Sequence, residues 1–292
     1  MKILITGGSG FIGRNLGAQY GTRHQVLAPA RAELDLLDGA AVAGYLRLHR
    51  FDAVIHAATE RSNRLLGSDP GLLERNCRMF FHLASQSRHF GRMLFLSSGM
   101  VYGREHCPPR VEESFFGEHI PSDPYGFSKY LCARSIAEAG NIVEVRLFGV
   151  FGPHEDWRVR FISNACCRAV WDMQVTLRQN VFFDYLDVED LGRLLEAFFD
   201  RELHHRHYNV CRGRAYGLQT LAEMVVRASG KPLEIGVGRP GLGAEYSGDN
   251  ARMIEEIPGF QFREMDDSIL RLYRWYEERK SLIDAGLLRF DG

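Results

Sequence analysis

Met1-Lys2-Ile3-Leu4-Ile5-Thr6-Gly7-Gly8-Ser9-Gly10-Phe11-Ile12-Gly13 opens the chain. Residues 2–6 are a short apolar run of strand length, and a helical pattern follows over 11–20. Between them Gly7, Gly10 and Gly13 stand in GxxGxxG spacing. A pyrophosphate must come close to main-chain amides at a helix N-terminus, where Cβ atoms would clash, so glycine suits this place. The last glycine lets helix and strand pack closely. A glycine cluster alone is a weak signal, but a strand before it and a helix after it are the context that dinucleotide binding requires.

Outward from this stretch, apolar runs alternate with helical periodicity. Strands are expected at 25–28, 53–56, 93–97 and 142–148, with helices at 39–49, 72–89 and 125–138. This alternation predicts βαβ units, a parallel sheet and right-handed crossovers that put helices on both faces. After Gly152-Pro153 the alternation loosens. Strands at 175–177, 182–186 and 207–210 and helices at 188–199 and 218–228 are expected, and 236–243 is rich in turn residues. Residues 267–280 read as an amphipathic helix with a core stripe of Ile269, Leu272 and Tyr276. The expected fold is α/β: a Rossmann, doubly wound parallel sheet with a smaller C-terminal α/β substrate lobe. Residues 1–153 with about 181–212 would form the first, and about 154–180 with 213–292 the second.

Lys+Arg number 36 and Asp+Glu 37, so no basic excess points to nucleic acid or an anionic membrane. No apolar stretch approaches the length of a membrane-spanning helix. The first residues are too short an apolar run for a secretory leader, which makes the cytoplasm the expected compartment. Cys77, Cys107, Cys132, Cys166, Cys167 and Cys211 form no CxxC pair and have no histidine at zinc spacing. They read as reduced, mostly buried thiols, and no metal site is expected.

The end of the second strand selects the dinucleotide. An acid there would bond the ribose of NAD. The chain has Leu27-Ala28-Pro29-Ala30-Arg31 instead. An always-charged guanidinium suits a 2′-phosphate, so Arg31 favours NADP, with NAD as the alternative if Arg31 is only a surface charge. Tyr125-Gly126-Phe127-Ser128-Lys129 places a phenol and an ammonium on one helix face. The ammonium favours phenolate and makes the pair a general acid or base for a carbonyl/alcohol couple. Leu96-Ser97-Ser98-Gly99 ends a strand at the C-terminal edge of the sheet, where Ser98 can hydrogen-bond the substrate oxygen.

In order and spacing, Gly7 to Gly13, Ser98, Tyr125 and Lys129 resemble the extended short-chain dehydrogenases, and the likeness runs along nearly the whole chain. Arg31-Ala32-Glu33-Leu34-Asp35-Leu36-Leu37-Asp38 looks especially like the GDP-fucose synthase branch. The resemblance implies that Gly7, Gly10, Phe11, Ile12 and Gly13 cradle the cofactor. It implies that Arg31 meets the 2′-phosphate and that Asp35 and Leu36 lie beside the adenine. Ala57, Ala58 and Thr59 would flank the cofactor, Asn76 would be the structural asparagine, and Phe148 would belong to the strand beneath the nicotinamide. Tyr125 and Lys129 would serve both cofactor and chemistry. The implied substrate is a nucleotide-linked sugar and the implied assembly a homodimer, paired through the helices at 72–89 and 125–138.

Departures from the family pattern narrow the reaction. Gly99 and Met100 stand where sugar dehydratases carry an Asp-Glu pair, and Met100 stands where GDP-fucose synthase uses a cysteine. Neither can move a proton. Arg160 lies in the region of that branch's second epimerisation residue, and His154 follows Gly-Pro as in the branch. Gly149 replaces an asparagine, and Phe183 replaces the arginine that clamps a phosphate. Arg239 resembles the family's other phosphate contact, with Arg160, Arg158 and Arg252 as further cations. The expectation is an NADPH-dependent 4-keto-sugar reductase. A 4-epimerase with tightly held NAD needs the same Tyr-Lys-Ser set, and a non-catalytic NADP-binding sensor is the alternative of another class.

Overall fold

The computed structural model describes residues 1–60, 69–136 and 140–288. The first half comprises β1 (Lys2–Thr6), α1 (Phe11–Tyr20), β2 (Gln25–Leu27), α2 (Gly39–His49), β3 (Phe51–His56), α3 (Leu72–Ala84), β4 (Phe90–Ser98), α4 (Pro124–Ile136) and β5 (Ile142–Leu147). The second comprises β6 (Gly149–Phe151), α5 (Phe161–Val170), β7 (Val175–Asn180), β8 (Phe182–Asp187), α6 (Val188–Ala197), β9 (His207–Val210), β10 (Ala215–Gly217), α7 (Leu218–Ser229), β11 (Ile235–Leu242), α8 (Ala251–Glu256) and α9 (Met265–Glu277).

The main sheet has the order β2-β1-β3-β4-β5-β9, and every pairing in it is parallel. Strands covered on both faces read as continuous apolar runs, which is why Ile3-Leu4-Ile5 and Ala53-Val54-Ile55 do not alternate. Leu16, Tyr20, Leu191 and Leu194 of α1 and α6, with Phe198 at the end of α6, cover one face, and Val42, Leu46, Phe80 and Leu83 of α2 and α3 cover the other. The order reverses between β1 and β3, the place where ligands bind in open α/β sheets.

A three-stranded sheet, β10-β8-β6, and a two-stranded one, β11-β7, lie beyond the main sheet. A separate core from α5, α7 and α9 includes Ile162, Val225, Ile269, Leu272 and Tyr276, so the expected stripe of the last long helix is buried. Met253 and Ile257, from a stretch expected in the smaller lobe, instead pack in the core under the main sheet.

Other boundaries also differ from expectation. The helix expected over 72–89 ends at Ala84, and the Asn141 amide gathers the carbonyls of Ser87, Phe90 and Gly91 at 3.0 Å each, turning the chain into β4. The helix expected over 125–138 starts one residue earlier, at Pro124, and is described to Ile136; Glu138 lies outside the described residues. The strand expected over 142–148 is β5, ending one residue earlier at Leu147; the β6 strand that follows pairs with β8 rather than continuing along the main sheet. The turn-rich 236–243 segment is strand β11, whose bulge between Arg239 and Leu242 accommodates Pro240. All six cysteines are free, and four are buried. Among the described residues no helix is long and apolar enough to cross a membrane.

Candidate active site

The loop from β1 to α1 is shaped by what cannot fit there. Gly7 has φ of +71°, and a Cβ on it would lie 2.7 Å from Ala58 N. A Cβ on Gly13 would run into the Gly7 carbonyl oxygen. Gly10 N donates to Gly7 O at 2.9 Å and closes the turn. Gly10 is the N-cap of α1, and no side chain caps the helix, so its first-turn amides around Phe11 and Ile12 are offered to an anion. This bare, glycine-lined helix start suits the pyrophosphate of a dinucleotide.

The neighbouring strand ends are bolted to this loop. Ala58 N donates to Thr6 Oγ1 at 3.3 Å, and Thr6 Oγ1 lies 2.8 Å from His56 Nδ1. His56 is fully buried, and burial, then the Lys129 ammonium, drive its pKa down to about 3, so the ring is neutral. Asn76 is buried and commits its amide to the chain: Oδ1 accepts from Glu60 N at 2.8 Å and Nδ2 donates to Glu60 O at 2.9 Å. Thr59 Oγ1 lies 3.5 Å from Asn76 Oδ1. Asn76 thereby fixes the path of Ala57, Ala58 and Thr59 past Gly7.

Ser98 stands at the C-terminal end of β4, and α4, which carries Tyr125 and Lys129, packs beside it. The Ser98 Oγ accepts from Met100 N at 3.2 Å. Asp123 opens α4 by accepting from Gly126 N at 2.7 Å, and Pro124 takes the first helical position, where its missing N–H costs nothing. Tyr125 is thus in the first turn of α4, beside the segment that follows Ser98. Lys129, one turn on and 3% exposed, donates to Leu96 O at 3.0 Å. Its ammonium lies 4.6 Å from the Phe95 ring centroid and 5.8 Å from that of Tyr125. Asn76 Nδ2 reaches Ser128 Oγ at 3.5 Å and ties α3 to α4. A phenol beside a buried ammonium and a hydroxyl can give or take a proton at a substrate oxygen.

The remaining candidates are more scattered. Arg31 sits on an exposed turn past β2, its side chain 71% exposed and 3.7 Å from Asp35. Leu36 is in the core between the main sheet and α2 and α3. Phe148 packs against Tyr246 at 5.0 Å and Tyr102 at 6.5 Å between ring centroids. Arg160 N-caps α5, and Arg239 lies on exposed β11, paired in register with Gln179. Arg158 is held by Asp156 at 2.7 Å and Arg252 lies 3.6 Å from Glu113. His154 faces Arg14 at 3.3 Å and the Trp275 ring at 5.0 Å.

Tyr246 is a residue that the sequence reading did not single out. It is 3% exposed, and its hydroxyl faces the Ser98 side chain. Burial pushes this phenol above its ordinary pKa. A Cβ on Gly99 would lie 2.6 Å from the Tyr246 hydroxyl and 2.8 Å from the Phe148 ring. No motif marks Tyr246, because contacts across the fold bring it to Ser98. A separate hollow of about 260 Å³, lined by Asp187, Arg271 and Trp275, shares no residue with this site.

The sequence pattern of the NAD dependent epimerase/dehydratase family matches residues 3–211. GDP-6-deoxy-D-mannose reductase of Pseudomonas aeruginosa is 32% identical over 259 residues, 80% of this chain and 82% of its own. UDP-glucose 4-epimerase of Mus musculus is 26% identical over 96% of this chain and 98% of its own. The solved structure of RMD from Pseudomonas aeruginosa, complexed with NADPH, superposes with a TM-score of 0.77 at 26% identity, covering 95% of this chain and all of the other. The glycine-lined helix start, the strand-end serine and the tyrosine–lysine helix thus belong to a member of the NAD dependent epimerase/dehydratase family.

Proposed function

We propose that the protein is an NADPH-dependent reductase of a nucleotide-linked 4-keto sugar. Gly7, Gly10, Phe11, Ile12 and Gly13 would hold the dinucleotide's pyrophosphate, with Ala57, Ala58 and Thr59 alongside. Arg31 would take the 2′-phosphate, with Asp35 and Leu36 toward the adenine. Lys129, Tyr125 and Phe148 would serve the nicotinamide end. NADPH supplies a hydride when bound. Tyr125 donates its phenolic proton to the substrate's carbonyl oxygen, and Ser98 donates a hydrogen bond to the same oxygen. The Lys129 ammonium favours the phenolate left on Tyr125. Asn76 and Asp123 hold the two segments in place.

The observation that carries this reading is the pair that follows Ser98. Gly99 is closed to any side chain by Tyr246 and Phe148, and Met100 has no proton to exchange. Tyr125 is therefore left as the proton donor to the carbonyl, which suits a simple reduction and not dehydration. The relative that reduces a GDP-linked sugar supports the substrate class. The test is to supply NADPH and GDP-linked 4-keto-6-deoxymannose and follow both. One NADPH consumed per sugar reduced is expected. No consumption with GDP-, UDP- or dTDP-linked 4-keto sugars would overturn the reading.

The likeness to mouse UDP-glucose 4-epimerase along almost the whole chain favours a second reading, a 4-epimerase using the same three side chains with NAD. Purified protein that retains NAD and interconverts UDP-glucose and UDP-galactose would establish it in place of the reductase.

A further inference from the structure

Arg104 leaves the turn that follows Ser98 and reaches the 244–246 segment of the smaller lobe. Its guanidinium lies 4.3 Å from the centroid of the Tyr246 ring. It donates to Glu245 O at 3.2 Å and to Ala244 O at 3.5 Å. All of these partners are neutral, and together they use two of its five N–H groups. The side chain is half-buried, so its plane is fixed by the ring and the carbonyls while its charge is left without a carboxylate among the described residues.

The platform under Arg104 is part of the catalytic edge. Tyr246 looks toward Ser98 and packs against Phe148 and Phe183 with centroids at 5.0 Å for each. Phe183 also stacks on Tyr185 at 4.8 Å, so the cluster beneath Arg104 is aromatic. Arg104 is a fixed cation over the Tyr246 ring, whose hydroxyl faces Ser98. A sugar whose carbonyl meets Ser98 and Tyr125 has its anomeric phosphate about one ring away, on the scale of the Tyr246 ring. A planar guanidinium whose orientation is already set can grip phosphate oxygens bidentately at reduced entropic cost.

We propose that Arg104, seated on Tyr246, is the ligand for the substrate's diphosphate. The proposal rests on the nucleotide-linked substrate of the preceding reading, and its test is independent of turnover. The protein is saturated with NADP+ and titrated with GDP and with UDP by calorimetry. Arg104→Ala should weaken binding of the nucleoside diphosphate at least tenfold, and Arg104→Lys should recover part of the loss. NADPH affinity and melting temperature should stay as in the wild type. Unchanged diphosphate affinity in Arg104→Ala, with a loss in Arg239→Ala, would move the role to Arg239 and overturn the proposal. So would a parallel fall in diphosphate affinity, NADPH affinity and melting temperature, which would make Arg104 a strap between segments. A wild-type protein that binds neither GDP nor UDP also overturns it. Tenfold weakening in a protein that reduces no keto sugar would sink the reductase reading alone.

Discussion

The Lys129 ammonium lies 5.8 Å from the centre of the Tyr125 ring, and the Leu96 carbonyl holds it there at 3.0 Å. Tyr125→Phe removes the proton and keeps the ring, so kcat should fall roughly 10²–10⁴-fold, the usual contribution of a positioned acid. NADPH affinity, read by fluorescence titration, should barely change. Lys129→Met should lower both the rate and the affinity. Biological activity that survives Tyr125→Phe would instead favour the NADP-binding sensor.

The Arg31 side chain is 71% exposed and lies 3.7 Å from Asp35, so it can swing toward a phosphate at little cost in packing. Arg31→Ala should erase most of an NADPH preference and leave NADH kinetics nearly unchanged. The wild-type preference should shrink as salt is raised, because an exposed charge is screened. Parallel kcat/KM measurements with the two cofactors check this. Equal use of both cofactors by the wild type would count against Arg31 as the selector.

Gly149 and Phe183 fit as a pair. A Cβ on Gly149 would lie 2.8 Å from the Phe183 ring and 2.9 Å from that of Tyr185. Gly149→Asn should therefore destabilise the fold by about 1–3 kcal/mol through overpacking. Adding Phe183→Ala should return part of that loss. Urea unfolding of both single variants and the double variant reads the coupling, expected at about 0.5 kcal/mol or more. Strict additivity would mean that the two positions do not share the space.

His56 makes stability depend on pH. Its folded pKa is about 3 and its unfolded pKa is near the ordinary histidine value, so the unfolded chain binds the extra proton between the two. The contribution is fully present above about pH 6.5 and declines as pH falls toward 3, at a limiting slope of about 1.4 kcal/mol per pH unit. His56→Asn should flatten the curve of unfolding free energy against pH over this window. Equal slopes in variant and wild type would show that other groups set the acid sensitivity.

The glycine loop and the serine, tyrosine and lysine were legible because each signal is local: a motif between strand and helix, a strand end, and two residues one turn apart. The bounds of α5 around Cys166 and Cys167 were not, because its N-cap is Arg160 with no capping side chain and all ten of its residues are buried. β11 was hidden by its glycines and proline, which an exposed edge strand tolerates. Tyr246 and Arg104 acquire their places from contacts between distant segments, which residue spacing does not encode. Asn76 was legible as structural, but its grip on both the 57–60 loop and α4 required the fold.

The main sheet is completed late. β9 pairs with the outer edge of β5, and Leu194 of α6 and Met253 of α8, with Phe198 and Ile257 just past those helices, supply one face of its core. A ribosome that has released only the first half of the chain therefore presents an unpaired strand edge and an uncovered apolar face, both invitations to wrong partners. The cofactor cradle is made before α6 and α8, which supply part of its supporting layer. Truncation anywhere before α8 should yield an aggregating fragment and not a smaller dinucleotide-binding protein.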